Sequence, residues 1–302
     1  MAPAGDRPRQ ELARDGGQWV GRFHAMASPC QVLMETGDRG EASATLTTVA
    51  GEVRRIESKY SRYRTDNIIH VVNQGAGRQV EVDAETAGLL DYAARLHELS
   101  AGSFDVTSGV LRKIWKFDGG SRLPDRDAVG EILGHVGWDK VDWNGSAIRL
   151  REGMEIDLGG IGKEYAADRA ARMAAETTPA SCLVNLGGDL AVTRPRKDLA
   201  PWSVGIQDPG RSAFGAKIII QLTAGAIATS GDANRFLLKD GVRYGHIMDP
   251  RTGWPVPEAP RSVSVAAGTC LDAGMLATFA ILQGAGAEAF LKEQQVQHWV
   301  LR

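Results

Sequence analysis

Strand and helix signals are mixed along these 302 residues without strict strand–helix–strand alternation, which predicts an α+β fold rather than a doubly wound parallel sheet. Two patterns carry that expectation. Apolar residues recur at helical spacing in two long segments, Leu46, Val49, Val53 and Ile56 in one and Leu89, Leu90, Ala93, Ala94 and Leu96 in the other. Short apolar runs bounded by Gly, Asn and Asp then dominate the second half of the chain, as strands of mixed or antiparallel sheets do.

Residues 1–18 are polar and rich in Arg, Asp and Gly, and predict a disordered lead-in to one domain over 19–302, with any internal boundary near 150–200. Residues 19–35 read as strand, ending in Gln31-Val32-Leu33-Met34. The first apolar spacing predicts a helix over 42–58, and Asp83 caps a second that runs to Leu99. Further helices are expected over 108–116 and, after Pro124, over 125–134. Residues 141–150 predict a hairpin on a type I′ Asn144-Gly145 turn. A helix over 163–176 follows, then strands at 182–186, 202–206, 216–222, 226–229 and 261–267. Helices over 271–282 and up to Glu293 close the chain.

The composition, 43% hydrophobic and 24% charged, is that of an ordinary globular protein. A net charge of −2 gives no electrostatic case for nucleic acid. No apolar run approaches the roughly 20 residues of a membrane span. The N-terminal segment has no apolar export core and no cysteine, so a cytoplasmic location is expected. Cys30, Cys182 and Cys270 are odd in number and widely spaced, and read as reduced, buried thiols.

The chemistry concentrates in a few bends. Gly245-His246-Ile247-Met248-Asp249-Pro250-Arg251-Thr252-Gly253 packs an imidazole, a carboxylate, a guanidinium and a hydroxyl into a turn. His246 reads either as a general base or phosphate-orienting group, or as a histidine bonded to turn backbone. Asp249, Arg251 and Thr252 suit a phosphate, a metal or a ribose. Asp157-Leu158-Gly159-Gly160-Ile161-Gly162-Lys163 is a strand end entering a helix through glycines; it matches neither the P-loop nor the dinucleotide-binding spacing. Asn185-Leu186-Gly187-Gly188-Asp189 and Thr229-Ser230-Gly231-Asp232 repeat the theme. Three such bends beside an imidazole point to a cleft for a pyrophosphate-containing ligand. Tyr60, Arg62 and Tyr63 offer a stacking surface for flavin or adenine, or a plain surface patch. Asp105, after Phe104, caps a helix or edges the ligand, and Trp254 is core or a roof over the His246 turn.

These motifs, with Ile56-Glu57, Ser61-Arg62-Tyr63 and Gly102-Ser103-Phe104-Asp105-Val106-Thr107, resemble the ApbE family of FAD:protein FMN transferases in one order from about Phe23 to Gly284. The resemblance implies two fused T-fold-like halves with FAD in the groove between them. It implies Mg²⁺-dependent attack on the FMN phosphate by a Thr or Ser of an acceptor flavoprotein, with AMP leaving. Some relatives instead hydrolyse FAD to FMN and AMP. The FAD-binding positions carried over are Asp157, Gly159, Gly160, Lys163, Asn185, Gly187, Gly188, Asp189, Ser230, Gly231, His246, Asp249 and Thr252, with His246 as the catalytic base.

The metal positions depart from the family's pattern. Its last helix reads Ala-Asp-Ala-Leu-Ala-Thr, with Asp and Thr on the metal; here the segment is Ala273-Gly274-Met275-Leu276-Ala277-Thr278. Thr278 remains and Gly274 replaces the carboxylate. Asp272, about 200° away on an ideal helix, substitutes only if the helix starts later; otherwise it is a cap. Gly162 and Glu164 stand where the family usually has Ala and Gly. The resemblance implies a metal ligand in the carbonyl at 162, which Gly162 can still supply, and makes Glu164 a candidate compensating acid. Met26-Ala27-Ser28 replaces Met-Gly-Thr. Loss of the carboxylate at 274 leaves a non-catalytic FAD-binding protein as the alternative to a transferase or a pyrophosphatase.

Overall fold

Gly16 and Gly17, at φ +55° and +88°, fold the chain back so that β1 (Glu11–Asp15) pairs antiparallel with β2 (Gln18–Ala25). This corrects the disordered lead-in expected to residue 18. Leu12 packs against the core and the ladder satisfies the polar segment's backbone, so residues 11–18 are strand and turn. The computed structural model describes residues 10–207, 216–232 and 235–302, and the start of the expected lead-in, 1–9, lies outside them.

A second two-residue turn splits the strand expected over 19–35. Met26 and Ala27 take φ +52° and +55°, and β2 returns as β3 (Ser28–Met34). Neither residue is glycine, so this turn carries left-handed strain of about 1–2 kcal/mol per residue. Glu57 Oε1 braces it by accepting the Met26 N–H at 2.8 Å.

The expected helices form with their caps. Asp38 caps α1 (Arg39–Tyr60), Asn67 caps α2 (Ile68–Gln74), and after β4 (Val80–Glu81) Asp83 caps α3 (Ala84–Leu99). The segment expected as helix over 108–116 is a 3₁₀ run, Val106–Lys113, opened by Asp105. Asp125 caps α4 (Arg126–Leu133). β5 (Asp142–Trp143) and β6 (Ala147–Arg149) make the expected hairpin with a different turn. Trp143 pairs with Ile148, so Gly145 and Ser146 are the central residues. Gly145 alone has positive φ (+91°), which is the II′ kind, and Asn144 Oδ1 accepts the Ala147 N–H at 2.8 Å.

α5 (Gly162–Thr177) leads to β7 (Cys182–Leu186), which turns at Gly187-Gly188 into β8 (Asp189–Val192). β9 (Trp202–Gln207) and β10 (Ala216–Leu222) pair as a separate ribbon. β11 (Ala226–Gly231), the hairpin β12 (Phe236–Lys239) and β13 (Val242–Gly245), and the short pair β14 (Met248–Asp249) and β15 (Trp254–Pro255) follow. β16 (Ser262–Ala267), α6 (Cys270–Leu282), α7 (Ala287–Glu293) and β17 (Gln297–Leu301) complete the chain.

Eight strands join in one sheet, in the order β1-β2-β3-β7-β8-β11-β16-β17, with antiparallel pairing throughout. Strands from both halves of the chain share it. Alternation in β7 sends Cys182, Val184 and Leu186 to the face covered by α1 and α5, and Leu183 to the face covered by Trp202, Val204 and Ile206 of β9. α6 packs on β11 and β16. All three cysteines are free and buried. No helix among the described residues is long and apolar enough to cross a membrane.

Candidate active site

The glycine bends meet at Asp189. This residue is fully buried at the start of β8, and the Lys163 ammonium lies 2.8 Å from its Oδ2. Its Oδ1 accepts the Thr229 N–H at 3.2 Å. One carboxylate therefore links the helix start after Gly160, the Gly187-Gly188 turn and the Thr229–Gly231 bend. Burial pulls the Lys163 ammonium toward its neutral form, and the charges of Asp189 and then Glu164 lead the groups that more than offset this. Asp189 is a buried anchor for the bends around it. Asn185 Oδ1, on β7, accepts the Gly188 N–H and fixes the same turn.

Asp157 is held in a cradle of its own. Its N–H bonds the Val106 carbonyl at 2.9 Å, its Oδ1 accepts the Gly159 N–H at 2.9 Å, and its Oδ2 pairs with Arg62. A Cβ on Gly109 would lie 2.5 Å from the Asp157 Cβ, so only glycine lets the 3₁₀ run back this residue. Gly159 and Gly160 are exposed, and α5 starts beyond them with no side-chain cap on Ile161, as at an anion-binding helix start. The stacking surface splits: Tyr60 is buried with its hydroxyl 3.3 Å from Thr86 Oγ1, whereas Tyr63 is 72% exposed under the Arg62 guanidinium.

His246 sits between β13 and β14 with its ring edge-on to Phe117, which stacks on Trp115. Trp115 donates its indole N–H to the Gly253 carbonyl at 3.0 Å and meets Trp254 edge-on, so an aromatic wall stands behind the turn. Trp254 belongs to that wall rather than to a roof. Burial first, then the Arg235 charge, lowers the His246 pKa to about 4, so the ring is neutral at pH 7. Its Nδ1 has no hydrogen-bond partner among the described residues. The Arg62 charge bears on it as well, joining the turn electrostatically to Asp157. Asp249 is tied to Arg251 by bonds of 2.9 and 2.8 Å to the guanidinium. Burial opposes ionisation of Asp249, but Arg251 outweighs it and holds the carboxyl below its usual range. Thr252 is exposed, with its Oγ accepting the Trp254 N–H.

On α6, Thr278 Oγ1 lies 2.8 Å from Ser230 Oγ. Gly231 is also a packing glycine: a Cβ there would meet the Arg261 carbonyl oxygen at 2.4 Å where the strand pairs with β16. Asp272 is exposed in the first turn of α6, accepts the Thr269 hydroxyl at 2.7 Å, and its own N–H bonds Thr269 Oγ1. The helix starts early enough to make it part of the cap. Glu164, one residue past Lys163, is buried, and its Oε2 lacks a hydrogen-bond partner among the described residues. Burial, then the Asp189 charge, pushes its carboxyl up against the opposing pull of Lys163. No three His, Cys, Asp or Glu side chains converge as a metal site among the described residues.

Arg62 as the partner of Asp157, Gly109 as its backing and Phe117 behind His246 were not legible in the sequence. Only glycine and aromatic residues beside the motifs hinted at the last two.

The ApbE family model matches residues 26–300. An FAD:protein FMN transferase of Treponema pallidum is 32% identical over 263 residues, covering 81% of this chain and 72% of that protein. The one of Haemophilus influenzae is 28% identical, over 80% of this chain and 74% of its own. Among solved structures, the ApbE protein of Thermotoga maritima superposes with a TM-score of 0.83 at 30% identity, over 94% of each chain. The flavin transferase ApbE of Vibrio cholerae gives 0.80 at 25% identity, over 97% of this chain and 94% of that one. An eight-stranded antiparallel sheet flanked by helices, the glycine bends gathered at Asp189 and this breadth of similarity together make the chain a member of the ApbE family.

Proposed function

We propose that this protein transfers FMN from FAD to a Thr or Ser hydroxyl of a separate acceptor protein and releases AMP, in the reducing cytoplasm that suits its three free thiols. The observation that carries the reading is His246: a neutral imidazole whose buried Nδ1 has no hydrogen-bond partner among the described residues, in a turn that feels the charge of Arg62, the partner of Asp157. The acceptor hydroxyl gives its proton to His246 as its oxygen forms a bond to the FMN phosphorus. The P–O bond of the diphosphate bridge breaks, and AMP leaves with the bonding pair.

Gly159 and Gly160 let the diphosphate approach backbone, Lys163 offsets its charge, and Gly187 and Gly188 shape the opposite wall. Asp157, Asn185, Ser230, Asp249 and Thr252 orient the nucleotide. Mg²⁺ fits the donor chemistry present, since the unpartnered Glu164 Oε2, the Thr278 hydroxyl and the Gly162 carbonyl are all hard oxygens. Bound there, Mg²⁺ supplies charge neutralisation at the diphosphate. The acceptor lies outside this chain: Asp105-Val106-Thr107-Ser108-Gly109-Val110 approaches an acceptor motif, but it ends in a valine without a hydroxyl, and Asp105 and Thr107 are buried.

Purified protein incubated with FAD and Mg²⁺, with and without an acceptor flavoprotein domain, tests the reading. AMP release together with a covalently fluorescent acceptor is the expected result. Equal AMP and FMN with or without acceptor would make it a pyrophosphatase, and bound FAD with no AMP would make it a binding protein.

A further inference from the structure

Glu164 and Gly274 occupy one space. A Cβ built on Gly274 would lie 2.5 Å from Glu164 Cγ and 3.0 Å from its Oε1, so the glutamate reaches the face of α6 only because position 274 has no side chain. The two helices are pinned there by Asp168 of α5, which accepts the Cys270 and Leu271 N–H groups at 2.7 and 3.0 Å. Residues 168 and 270 each lie one helical turn from the pair, 168 beyond Glu164 and 270 before Gly274, so the register is not accidental. Glu164 is only 8% exposed, yet Oε2 has no hydrogen-bond partner among the described residues. Leaving such an atom unpaired costs about 1–3 kcal/mol, more for a charged group. The Lys163 ammonium is committed to Asp189. One turn past Gly274, on the same face of α6, Thr278 presents its hydroxyl beside Ser230.

We propose that Glu164 is the protein's carboxylate ligand for a divalent cation, delivered from α5 onto a face of α6 that Gly274 leaves bare, with Thr278 one turn further on. This rests on the FMN-transfer reading for the identity of the cation, but its test does not need turnover.

The test is Mn²⁺ binding, followed by loss of the free-ion EPR signal, with and without FAD, while flavin fluorescence reads FAD binding separately. The wild type is expected to bind Mn²⁺. Glu164→Gln should weaken it by at least about tenfold, since even loss of an outer-shell partner costs about 10–100-fold, with FAD affinity less affected. The double variant Glu164→Gly/Gly274→Asp should regain Mn²⁺ affinity that Glu164→Gly alone lacks. Unchanged Mn²⁺ affinity in Glu164→Gln overturns the proposal, as does a folded double variant with no gain over Glu164→Gly. Should the double variant fail to fold, Glu164→Gln decides alone. Absence of FAD binding would sink the transfer reading and leave the Mn²⁺ result to judge Glu164.

Discussion

Lys163 and Asp189 form an ion pair at 2.8 Å in which the carboxylate is fully buried and the ammonium side chain is 29% exposed. Because Asp189 also holds the Thr229 N–H, the pair ties the start of α5 to two strand turns. Removing one partner of a buried pair costs about 3–5 kcal/mol, and the partly wet lysine places Lys163→Met at the lower end. The cost comes from the stranded Asp189, so Lys163→Met/Asp189→Leu should recover part of it. Urea unfolding measures both, and a double variant weaker than the sum of the single ones would contradict the pairing argument.

His246 sets an acid boundary. Its pKa is lowered to about 4 in the folded protein, against 6.5 for an unperturbed histidine. Above pH 6.5 neither the folded nor the unfolded form holds the proton, and this stabilising contribution is fully present. As pH falls from 6.5 toward 4 only the unfolded chain takes it up, and the contribution is lost. Wild-type stability should therefore fall more steeply across that window than that of His246→Gln. The same neutrality keeps the base competent in mild acid, so the acid limb of kcat/KM is expected below pH 6. His246→Gln should lower kcat by about 10²–10⁴-fold while retaining FAD. Unchanged kcat would remove His246 from the mechanism.

Much of this architecture is legible in local patterns, because caps and apolar spacing act within a few residues. Asp83, Asp125 and the run 182–186 behave as written. What escapes is decided by distant partners. β1 is polar and becomes a strand only because Gly16 and Gly17 return it to β2. Met26 and Ala27 carry no turn signature, yet they hold a turn that Glu57 braces from α1. The site follows the same rule. His246 and the glycine bends stand out by composition, whereas the burial of Asp189, the pairing of Arg62 with Asp157 and the fit of Glu164 against Gly274 exist only after folding.

Gly253 holds the His246 turn against α4. It has φ +69°, and a Cβ would lie 2.7 Å from Val129 Cγ1 and 3.1 Å from Leu133 Cγ. Strain of about 1–2 kcal/mol then adds to overpacking of about 1–3 kcal/mol. Gly253→Ala should lower Tm and loosen the Trp115–Gly253 bond, read as a change in tryptophan fluorescence. An unchanged Tm would mean that the turn does not depend on α4.

Asp272 provides the contrast to Glu164. It is exposed and engaged with Thr269 at the start of α6. Asp272→Ala should cost at most about 1 kcal/mol of stability, as loss of a cap contact does, and leave Mn²⁺ binding unchanged. A fall in Mn²⁺ affinity would return Asp272 to the metal site.

Gly274→Ala tests the fit between α5 and α6 without adding charge. Alanine in a helix interior normally stabilises by about 0.8–1 kcal/mol relative to glycine. Here the new methyl would press on Glu164 Cγ at 2.5 Å, in the middle of a buried side chain rather than at its free end. Overpacking of about 1–3 kcal/mol outweighs the helix gain. The expected result is a lower Tm for Gly274→Ala and recovery in Glu164→Ala/Gly274→Ala, where the obstruction is gone and the helix preference remains. A higher Tm in the single variant would mean that Glu164 swings away freely, and the two positions would not be a matched pair.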